Sequence, residues 1–280
     1  MTTRRNFLKT VSAATALSMV SPFEMFANTQ KKYIGIQLYT IRKVLKEDFK
    51  GTLQKIAEIG YNSIETAGYN KRKFYGYKPK EFKKFTKQLG LKALSSHAGV
   101  KLKTLDHTIE DTLKAGMKYL VLPGVSHDRR KSIDDYKKLA EEFNVIGEKC
   151  NKSGLRFAYH NHSSEFEKMD GQIPYDILLK NTDKDYLTMQ LDTYWMVRGG
   201  YQPLDYFNKY PGRFELLHIK DMDNTEKKES TEIGQGIIDF EAIFAANDKS
   251  GMKYYFLEQE SFKMDEFESL AISYNYLSKF

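Results

Sequence analysis

The chain has 280 residues, 41% of them hydrophobic and 14% aromatic, which is enough for one large domain or two small ones. Its formal net charge is +7, but the lysines are scattered along predicted helices rather than grouped in a stripe with aromatic residues. The composition therefore does not favour nucleic acid binding. The single cysteine, Cys150, excludes an internal disulfide and a metal site built from cysteines.

The first residues are typical of a twin-arginine export signal. Arg4 and Arg5 precede a weakly apolar stretch, residues 11–20, and Ala27 offers a small residue near a cleavage point. We therefore expect residues 1–27 to be an export signal, residues 28–280 to form one domain, and the protein to be periplasmic or otherwise exported. The apolar stretch is too short to span a bilayer, so we expect no stable membrane anchor. A disordered basic tail is the alternative.

A helix that ends on glycine, followed at once by a short apolar strand, recurs along the chain. Glycine suits the left-handed cap that closes a helix, and strands alternating with helices indicate parallel pairing. The predicted strands are 33–39, 62–66, 91–97, 118–123, 155–160, 187–192, 214–220 and 253–259. The predicted helices are 48–59, 79–89, 105–115, 132–152, 174–181, 203–209, 239–249 and 265–278.

Eight strands and eight helices in this order predict an α/β fold, the (β/α)8 TIM barrel. An open doubly wound sheet is the main alternative. No glycine-rich G-x-G-x-x-G motif follows the first strand, so a dinucleotide site is not supported.

The carboxyl ends of the predicted strands are rich in ionisable groups, whereas the amino ends are not. Active-site residues of a TIM barrel lie at these carboxyl ends, and six of the eight ends carry an ionisable group. This asymmetry predicts an enzyme. The polar side chains in question are Gln37, Glu65, His97, His160, His162, Asp192, His218, Lys220, Glu258 and Glu260.

The segment from residue 154 to 167 is the densest of these regions. A short apolar strand leads directly into His160, Asn161, His162 and Glu165. Two imidazoles and a carboxylate are costly to bury without a role, because each loses hydration. We interpret this cluster as part of a functional site, and a hydrogen-bonded loop is the alternative.

Asp192, His218 and Glu258 end three successive predicted strands and could converge on one cation. Two carboxylates and an imidazole suit Mn²⁺, Mg²⁺, Co²⁺ or Zn²⁺ and leave coordination positions open for substrate oxygens. The alternatives are a helix cap for Asp192 and a hydrogen-bonded core histidine for His218.

Seven short motifs at the strand ends carry a family resemblance. They are Ile34-Gly35-Ile36-Gln37-Leu38-Tyr39, Ile64-Glu65-Thr66-Ala67-Gly68-Tyr69, Ser96-His97, Tyr159-His160-Asn161-His162-Ser163-Ser164-Glu165-Phe166, Leu191-Asp192-Thr193-Tyr194-Trp195, His218-Ile219-Lys220-Asp221 and Leu257-Glu258-Gln259. Through these motifs, residues 33–279 resemble the sugar phosphate isomerase/epimerase family, whose fold is a xylose-isomerase-like TIM barrel. The resemblance implies one divalent metal ion held by a Glu, an Asp, a His and a second Glu on strands five to eight, and Asp192, His218 and Glu258 match three of these positions.

Strand five departs from the family pattern. It carries Ala158-Tyr159-His160 where the epimerases place a Glu. We expect Glu165 to reach back as the fourth metal ligand, with His160 or His162 as the alternative. The departure argues against a simple two-glutamate epimerase mechanism.

The remaining candidates have roles in catalysis or substrate binding. We expect His160 and Glu258 to act as acid or base and Lys220 to stabilise an enediolate by its positive charge. The substrate would contact Gln37, Glu65, His97, His162, Trp195 and Glu260.

These residues predict a metal-dependent isomerase or epimerase that acts on a small-molecule sugar or keto-sugar through an enediolate. Elimination from the same intermediate would give a lyase or dehydratase acting on a keto-sugar or 3-keto-glycoside. A non-catalytic sugar-binding barrel is a second alternative. We expect no nucleic acid partner, and homo-oligomer formation is left open.

Overall fold

Eight parallel strands form a closed barrel in the computed structural model, which describes residues 32–280. Each strand pairs with its neighbour in the chain, and the last pairs with the first, so the predicted TIM barrel is confirmed. The predicted export signal, residues 1–27, lies outside the described residues. The strands are β1 Gly35–Gln37, β2 Ser63–Thr66, β3 Lys92–His97, β4 Tyr119–Leu122, β5 Arg156–His160, β6 Leu187–Asp192, β7 Leu216–Ile219 and β8 Tyr254–Leu257.

The helices follow the strands around the outside of the barrel. They are α1 Arg42–Glu47, α2 Phe49–Ile59, α3 Pro79–Gln88, α4 Leu105–Lys114, α5 Ile133–Lys152, α6 Pro174–Asn181, α7 Thr193–Arg198, α8 Pro203–Lys209, α9 Phe240–Ala245, α10 Asn247–Ser250 and α11 Glu266–Leu277. The predicted segment 239–249 is divided between α9 and α10. Within residues 32–280, no helix is long and apolar enough to cross a bilayer.

Two six-residue helices, α1 and α7, were not predicted. Each follows closely on a strand, β1 or β6, and is too short to show a helical repeat of apolar residues in the sequence. Two hairpins in the loops after β2 and β7 were also not predicted, Tyr69–Asn70 with Lys73–Phe74 and Asp221–Met222 with Ser230–Thr231.

The loop after β7 is anchored by one buried carboxylate. The side chain of Asp221 accepts four backbone N–H groups at 2.8 to 3.1 Å. These come from Met222, Gly234, Gly236 and Ile238. Asp221 therefore has a structural role that satisfies the polar backbone of this loop.

The barrel interior changes from apolar at its floor to polar at the carboxyl ends of the strands. Alternate residues of a strand point to the same side, so the inward face of β7 carries Leu216 and then His218, and that of β8 continues from Phe256 to Glu258. The floor is packed from Leu94, Tyr119, Val121, Ala158, Leu216 and Phe256. The polar side chains thus lie on a closed apolar base.

Gly35 makes room for the aromatic ring of Phe256 in this floor. A Cβ atom at residue 35 would lie 2.5 Å from a ring carbon of Phe256 and 2.5 Å from the carbonyl oxygen of Tyr255. The absent side chain on β1 therefore lets the Phe256 ring fill the narrow barrel.

Candidate active site and metal centre

Four side chains from four adjacent strands meet at the carboxyl end of the barrel. They are His160 on β5, Asp192 on β6, His218 on β7 and Glu258 directly after β8, and one ligand atom from each lies within 4.8 Å of all the others. All four are buried. The β6–β7 register pairs Asp192 with His218, so neighbouring parallel strands bring these residues to the same height. We call these residues the four-residue cluster.

Two atoms of the four-residue cluster are buried and have no hydrogen-bond partner among the residues that the structure describes. They are Nδ1 of His160 and Oδ2 of Asp192. A buried polar atom without a partner costs about 1–3 kcal/mol, so two such atoms in one cluster indicate a missing partner. Two imidazole nitrogens and two carboxylates are a donor set suited to Zn²⁺, Mn²⁺ or Co²⁺. The residues present therefore fit a divalent metal ion.

The electrostatics of His160 and Asp192 agree with this assignment. Burial lowers the pKa of His160, and the neighbouring histidines lower it further, so this ring is neutral and its nitrogen lone pair is available. Burial raises the pKa of Asp192 to about 7, although Lys220 opposes the rise. Burial makes the ionised form of this carboxyl group costly, and a bound cation would stabilise that ionised form.

His218 lies between two carboxylates. Its Nδ1 is 2.9 Å from Oε2 of Glu258, and its Nε2 is 2.5 Å from Oε1 of Glu65. Burial lowers the pKa of His218, but the two carboxylates outweigh burial and raise the pKa to about 10. Without a metal ion the ring is therefore protonated, and Nδ1 must lose its proton before it can bind one.

Glu65 lies beneath the four-residue cluster with none of its surface exposed. Its carboxylate accepts hydrogen bonds from Nε2 of Gln37 at 2.7 Å, from Nε2 of Gln190 at 2.8 Å, and from the Ser95 hydroxyl. Burial raises its pKa, but His97 and His218 hold the pKa well below its usual range. Gln37 and Glu65, expected above to contact substrate, are thus fully buried and hydrogen-bonded to each other, and Glu65 also pairs with His218 of the cluster.

His97 is also drawn into this lower layer. Its Nε2 lies 2.6 Å from Oε1 of Gln190 and 3.1 Å from Oε1 of Glu65. His97, His160 and His218 could also hold an ion by distance, but Nε2 of His97 and of His218 already pair with Glu65. The four-residue cluster is therefore the better metal site.

Gln190, which links Glu65 to His97, was not predicted. The signal was present in the sequence, because Gln190 precedes Asp192 by two residues on β6 and so shares its inward face.

Glu165 lies outside the four-residue cluster. Its carboxylate accepts hydrogen bonds from the Tyr159 hydroxyl at 2.9 Å, the His162 backbone N–H at 2.9 Å and the Ser164 hydroxyl at 3.1 Å. These bonds cap the short 3₁₀ helix Ser163–Phe166. Glu165, expected above as the fourth metal ligand, is thus held outside the cluster by local capping bonds, and His160 is the side chain from strand five that lies in the cluster.

Lys220 supplies a buried positive charge beside the four-residue cluster. Its side chain is 1% exposed, forms an ion pair with Glu260, and places Nζ 3.6 Å from Oε2 of Glu258. Burial lowers its pKa, but the surrounding carboxylates raise it above the usual range. The ammonium group also lies 5.1 Å and 5.0 Å from the ring centroids of Tyr194 and Trp195.

Asp192 connects the cluster to the wall of the active site. Its Oδ1 accepts the Trp195 backbone N–H at 2.8 Å and caps α7, while Oδ2 belongs to the cluster. The helix cap and the metal ligand, given above as alternatives, are thus compatible uses of one carboxylate. The half-buried ring of His162 lies 5.5 Å from that of Trp195. Glu260, which with these two side chains was expected to contact substrate, pairs with Lys220.

A closed barrel with ionisable side chains converging at the carboxyl ends of its strands defines a barrel of the enzyme type. The chain belongs to the xylose isomerase-like TIM barrel family, whose pattern it matches over residues 53–277.

Similar proteins carry names from two reaction classes. A sugar phosphate isomerase/epimerase from Parabacteroides distasonis ATCC 8503 is 30% identical, with a TM-score of 0.77 over 89% of this chain and 98% of that one. An inosose dehydratase from Lacticaseibacillus casei is 28% identical over 163 residues, which are 51% of this chain and 54% of that protein. The chain therefore spans about half the length of the curated relatives it matches.

The likeness of fold extends to more distant structures. The IolI protein, whose structure has a bound zinc atom, is 15% identical, with a TM-score of 0.67 over 89% of this chain and 97% of that one.

Proposed function

We propose that this protein is a divalent-metal-dependent lyase that removes a β-substituent from a keto-sugar or a related cyclic ketone. The observation that carries this proposal is the composition of the four-residue cluster. It contains one glutamate, Glu258, and has His160 where the epimerases of the family have a second. Proton exchange on both faces of a carbon needs a base on each face, whereas elimination can proceed with one.

The metal ion would be held by His160 Nδ1, Asp192 Oδ2, His218 Nδ1 and Glu258. When bound, such an ion acts as a Lewis acid on the substrate carbonyl and makes the adjacent C–H bond more acidic. The chain's own residues account for the proton transfers and for the stabilisation of charge.

Glu258 is the base in this proposal. Its carboxylate removes the proton next to the carbonyl, and the electron pair of that C–H bond forms the enediolate. Lys220, protonated and 1% exposed, compensates the negative charge that develops on the oxygen. Return of the electrons breaks the C–O bond to the β-substituent, and Glu258 delivers its proton to the departing oxygen. The substrate thus loses water or an alcohol without an external oxidant or reductant.

The similar proteins support this reaction class to different extents. The inosose dehydratase of L. casei, which this chain matches over about half of that protein's length, supports elimination. The P. distasonis protein named sugar phosphate isomerase/epimerase favours isomerisation as a second candidate, in which the same enediolate is reprotonated at another carbon. The same metal site could serve elimination and isomerisation, so the two reactions must be distinguished by identifying their products.

The test is a panel of keto-sugars, 3-keto-glycosides and inosose, incubated with the metal-loaded protein in D₂O with and without a chelator. The elimination product is an unsaturated ketone plus water or an alcohol, whereas isomerisation retains all heavy atoms and incorporates deuterium. Asp192→Asn should abolish both metal retention and turnover. Glu215→Gln, at the opposite end of the barrel, is the matched control and should preserve both. Full turnover by Asp192→Asn would contradict the metal assignment.

We propose in addition that the protein is exported through the twin-arginine pathway, on the pattern of Arg4 and Arg5. Export favours a free sugar or glycoside over a phosphorylated metabolite as substrate. Replacing both arginines by lysine should retain the protein in the cytoplasm on cell fractionation, while Lys9→Gln should not. Unchanged export of the double variant would contradict this proposal.

A further inference from the structure

A second concave surface lies beside the carboxyl ends of β1 and β2. It has a volume of about 670 Å³. In the described part of the chain, its lining includes three aromatic rings and two cations and contains no carboxylate. We call it the Tyr39 groove, and its defining residues are Tyr39, Arg42, Lys46, Phe49, Gly68 and Tyr75.

The floor of the Tyr39 groove is held in a strained conformation. Tyr75 has φ +49°, in the left-handed region that residues other than glycine seldom adopt. Its hydroxyl accepts the Ala67 backbone N–H at 2.9 Å, and its ring lies where a Cβ on Gly68 would approach within 2.4 Å. The Phe49 ring stacks on it at 5.1 Å. Such strain persists only where the surroundings fix it, and it concentrates at functional sites.

The rim carries the positive charge. Tyr39 is 44% exposed, and the Arg42 guanidinium lies 4.3 Å above its ring while Nη1 donates to the Tyr39 carbonyl at 3.0 Å. Among residues 32–280, neither Arg42 nor Lys46 takes part in any of the salt bridges observed. The Glu266 carboxyl group lies within electrostatic range of Arg42 but does not line the groove. The two cations of the lining favour an anionic ligand, and exposed aromatic rings favour a ligand with a ring of its own.

The Tyr39 groove is joined to the four-residue cluster through the first strand. The Tyr39 backbone N–H donates to Oε1 of Gln37 at 3.0 Å, and Nε2 of Gln37 donates to Glu65 at 2.7 Å. Glu65 in turn contacts His218. The groove therefore begins two residues beyond side chains that support the cluster, on the face of the barrel that carries active sites.

We propose that the Tyr39 groove binds the part of the substrate that is remote from the reacting carbons, and that this part is a ring bearing a carboxylate. The assignment of the Tyr39 groove as a substrate site rests on the proposed function, but its binding of a ring that bears a carboxylate does not. The arginine and lysine pair with the carboxylate, and the exposed Tyr39 ring packs against the ligand ring.

Two commercial probes that differ mainly in the carboxylate test this proposal. These are 4-nitrophenyl β-D-glucuronide and 4-nitrophenyl β-D-glucoside, titrated calorimetrically into the metal-loaded protein. We expect the glucuronide to bind about tenfold more tightly, which is the effect of one ion pair worth roughly 1.4 kcal/mol. The double variant Arg42→Gln, Lys46→Gln should erase the difference, and Tyr39→Ala should weaken both probes. The double variant Lys137→Gln, Lys138→Gln on α5 removes the same charge elsewhere and should change neither.

Asp192→Asn separates this proposal from the proposed function. Because the Tyr39 groove is built from other residues, the metal-site variant should still prefer the glucuronide. Two outcomes would contradict the proposed ligand binding in the Tyr39 groove without affecting the proposed lyase activity. They are equal binding of both probes to the unmodified protein, and a glucuronide preference that survives loss of the charges of Arg42 and Lys46. A glucuronide preference in the unmodified, metal-loaded protein, together with no turnover of any compound in the keto-sugar panel, would overturn the proposed function and leave the proposal for the groove standing.

Discussion

The Nε2 atom of His218 lies 2.5 Å from Oε1 of Glu65, on the side of the ring that faces away from the four-residue cluster. Histidines that bind metals usually donate their second N–H to a carboxylate, which fixes the tautomer and makes the ligand nitrogen more basic. Glu65 holds His218 in this way. The Glu65 carboxylate is itself held by hydrogen bonds from Gln37, Ser95 and Gln190.

Glu65→Gln should weaken metal binding by about 10- to 100-fold, the usual cost of losing such a partner. The neutral amide no longer stabilises the N–H of His218 as a carboxylate does. Competition with a chromophoric chelator measures the affinity, and the visible spectrum of the cobalt-loaded protein reports any change in His218 coordination. Glu215→Gln is the control, because Glu215 is a buried glutamate at the other end of the barrel that bonds Tyr119 and Arg156. An unchanged affinity in folded Glu65→Gln would contradict this role.

The fourth ligand can be identified by a pair of substitutions. His160→Gln removes a buried nitrogen that has no hydrogen-bond partner within residues 32–280 and should abolish retention of the metal ion. Glu165→Gln changes a side chain that caps a 3₁₀ helix, so the purified protein should retain about one metal ion per chain. Elemental analysis by mass spectrometry after dialysis gives the stoichiometry. The opposite pattern would restore Glu165 as the ligand.

Metal affinity should increase with pH. His218 has a raised pKa of about 10 in the metal-free protein, and it must lose a proton to bind the ion. Protons therefore compete with the metal below that pKa, and the affinity should rise about tenfold per pH unit between roughly pH 7 and 9. Below pH 7 the slope should steepen, because Asp192, with a pKa of about 7, then also carries a proton.

Calorimetry in buffers of different ionisation enthalpy counts the protons released on metal binding. We expect about one proton per ion at pH 8 and more at pH 6, from the ligand deprotonation described above. A pH-independent affinity would show that His218 is not a ligand through Nδ1.

Gly35→Ala should lower the free energy of unfolding by about 1–3 kcal/mol, the usual cost of overpacking a core. The new methyl group would meet the Phe256 ring and the Tyr255 carbonyl at 2.5 Å. Urea denaturation followed by circular dichroism measures the change. Gly99→Ala is the control, since no atom of the described residues lies within 4 Å of its Cβ position and its φ is ordinary. Equal stability of the two variants would contradict the packing argument.

The sequence was informative wherever a local pattern decides the structure. Glycine caps and apolar runs located the eight strands, and the position of Asp192, His218 and Glu258 at strand ends predicted that they would converge. The role of Glu65 could not be predicted, because it depends on contact across the barrel with a residue 153 positions away. The expected reach of Glu165 toward the cluster is not seen, because a local bond from the His162 backbone N–H holds its carboxylate.

Trp195 is the one tryptophan among the 280 residues. Its backbone is held by Asp192, and its ring lies 5.0 Å from the Lys220 ammonium group and 5.5 Å from the His162 ring. The intrinsic tryptophan fluorescence of this protein therefore originates entirely beside the four-residue cluster. Titration of a metal ion or a sugar can be followed in the unlabelled protein, with no background emission from tryptophan elsewhere in the barrel.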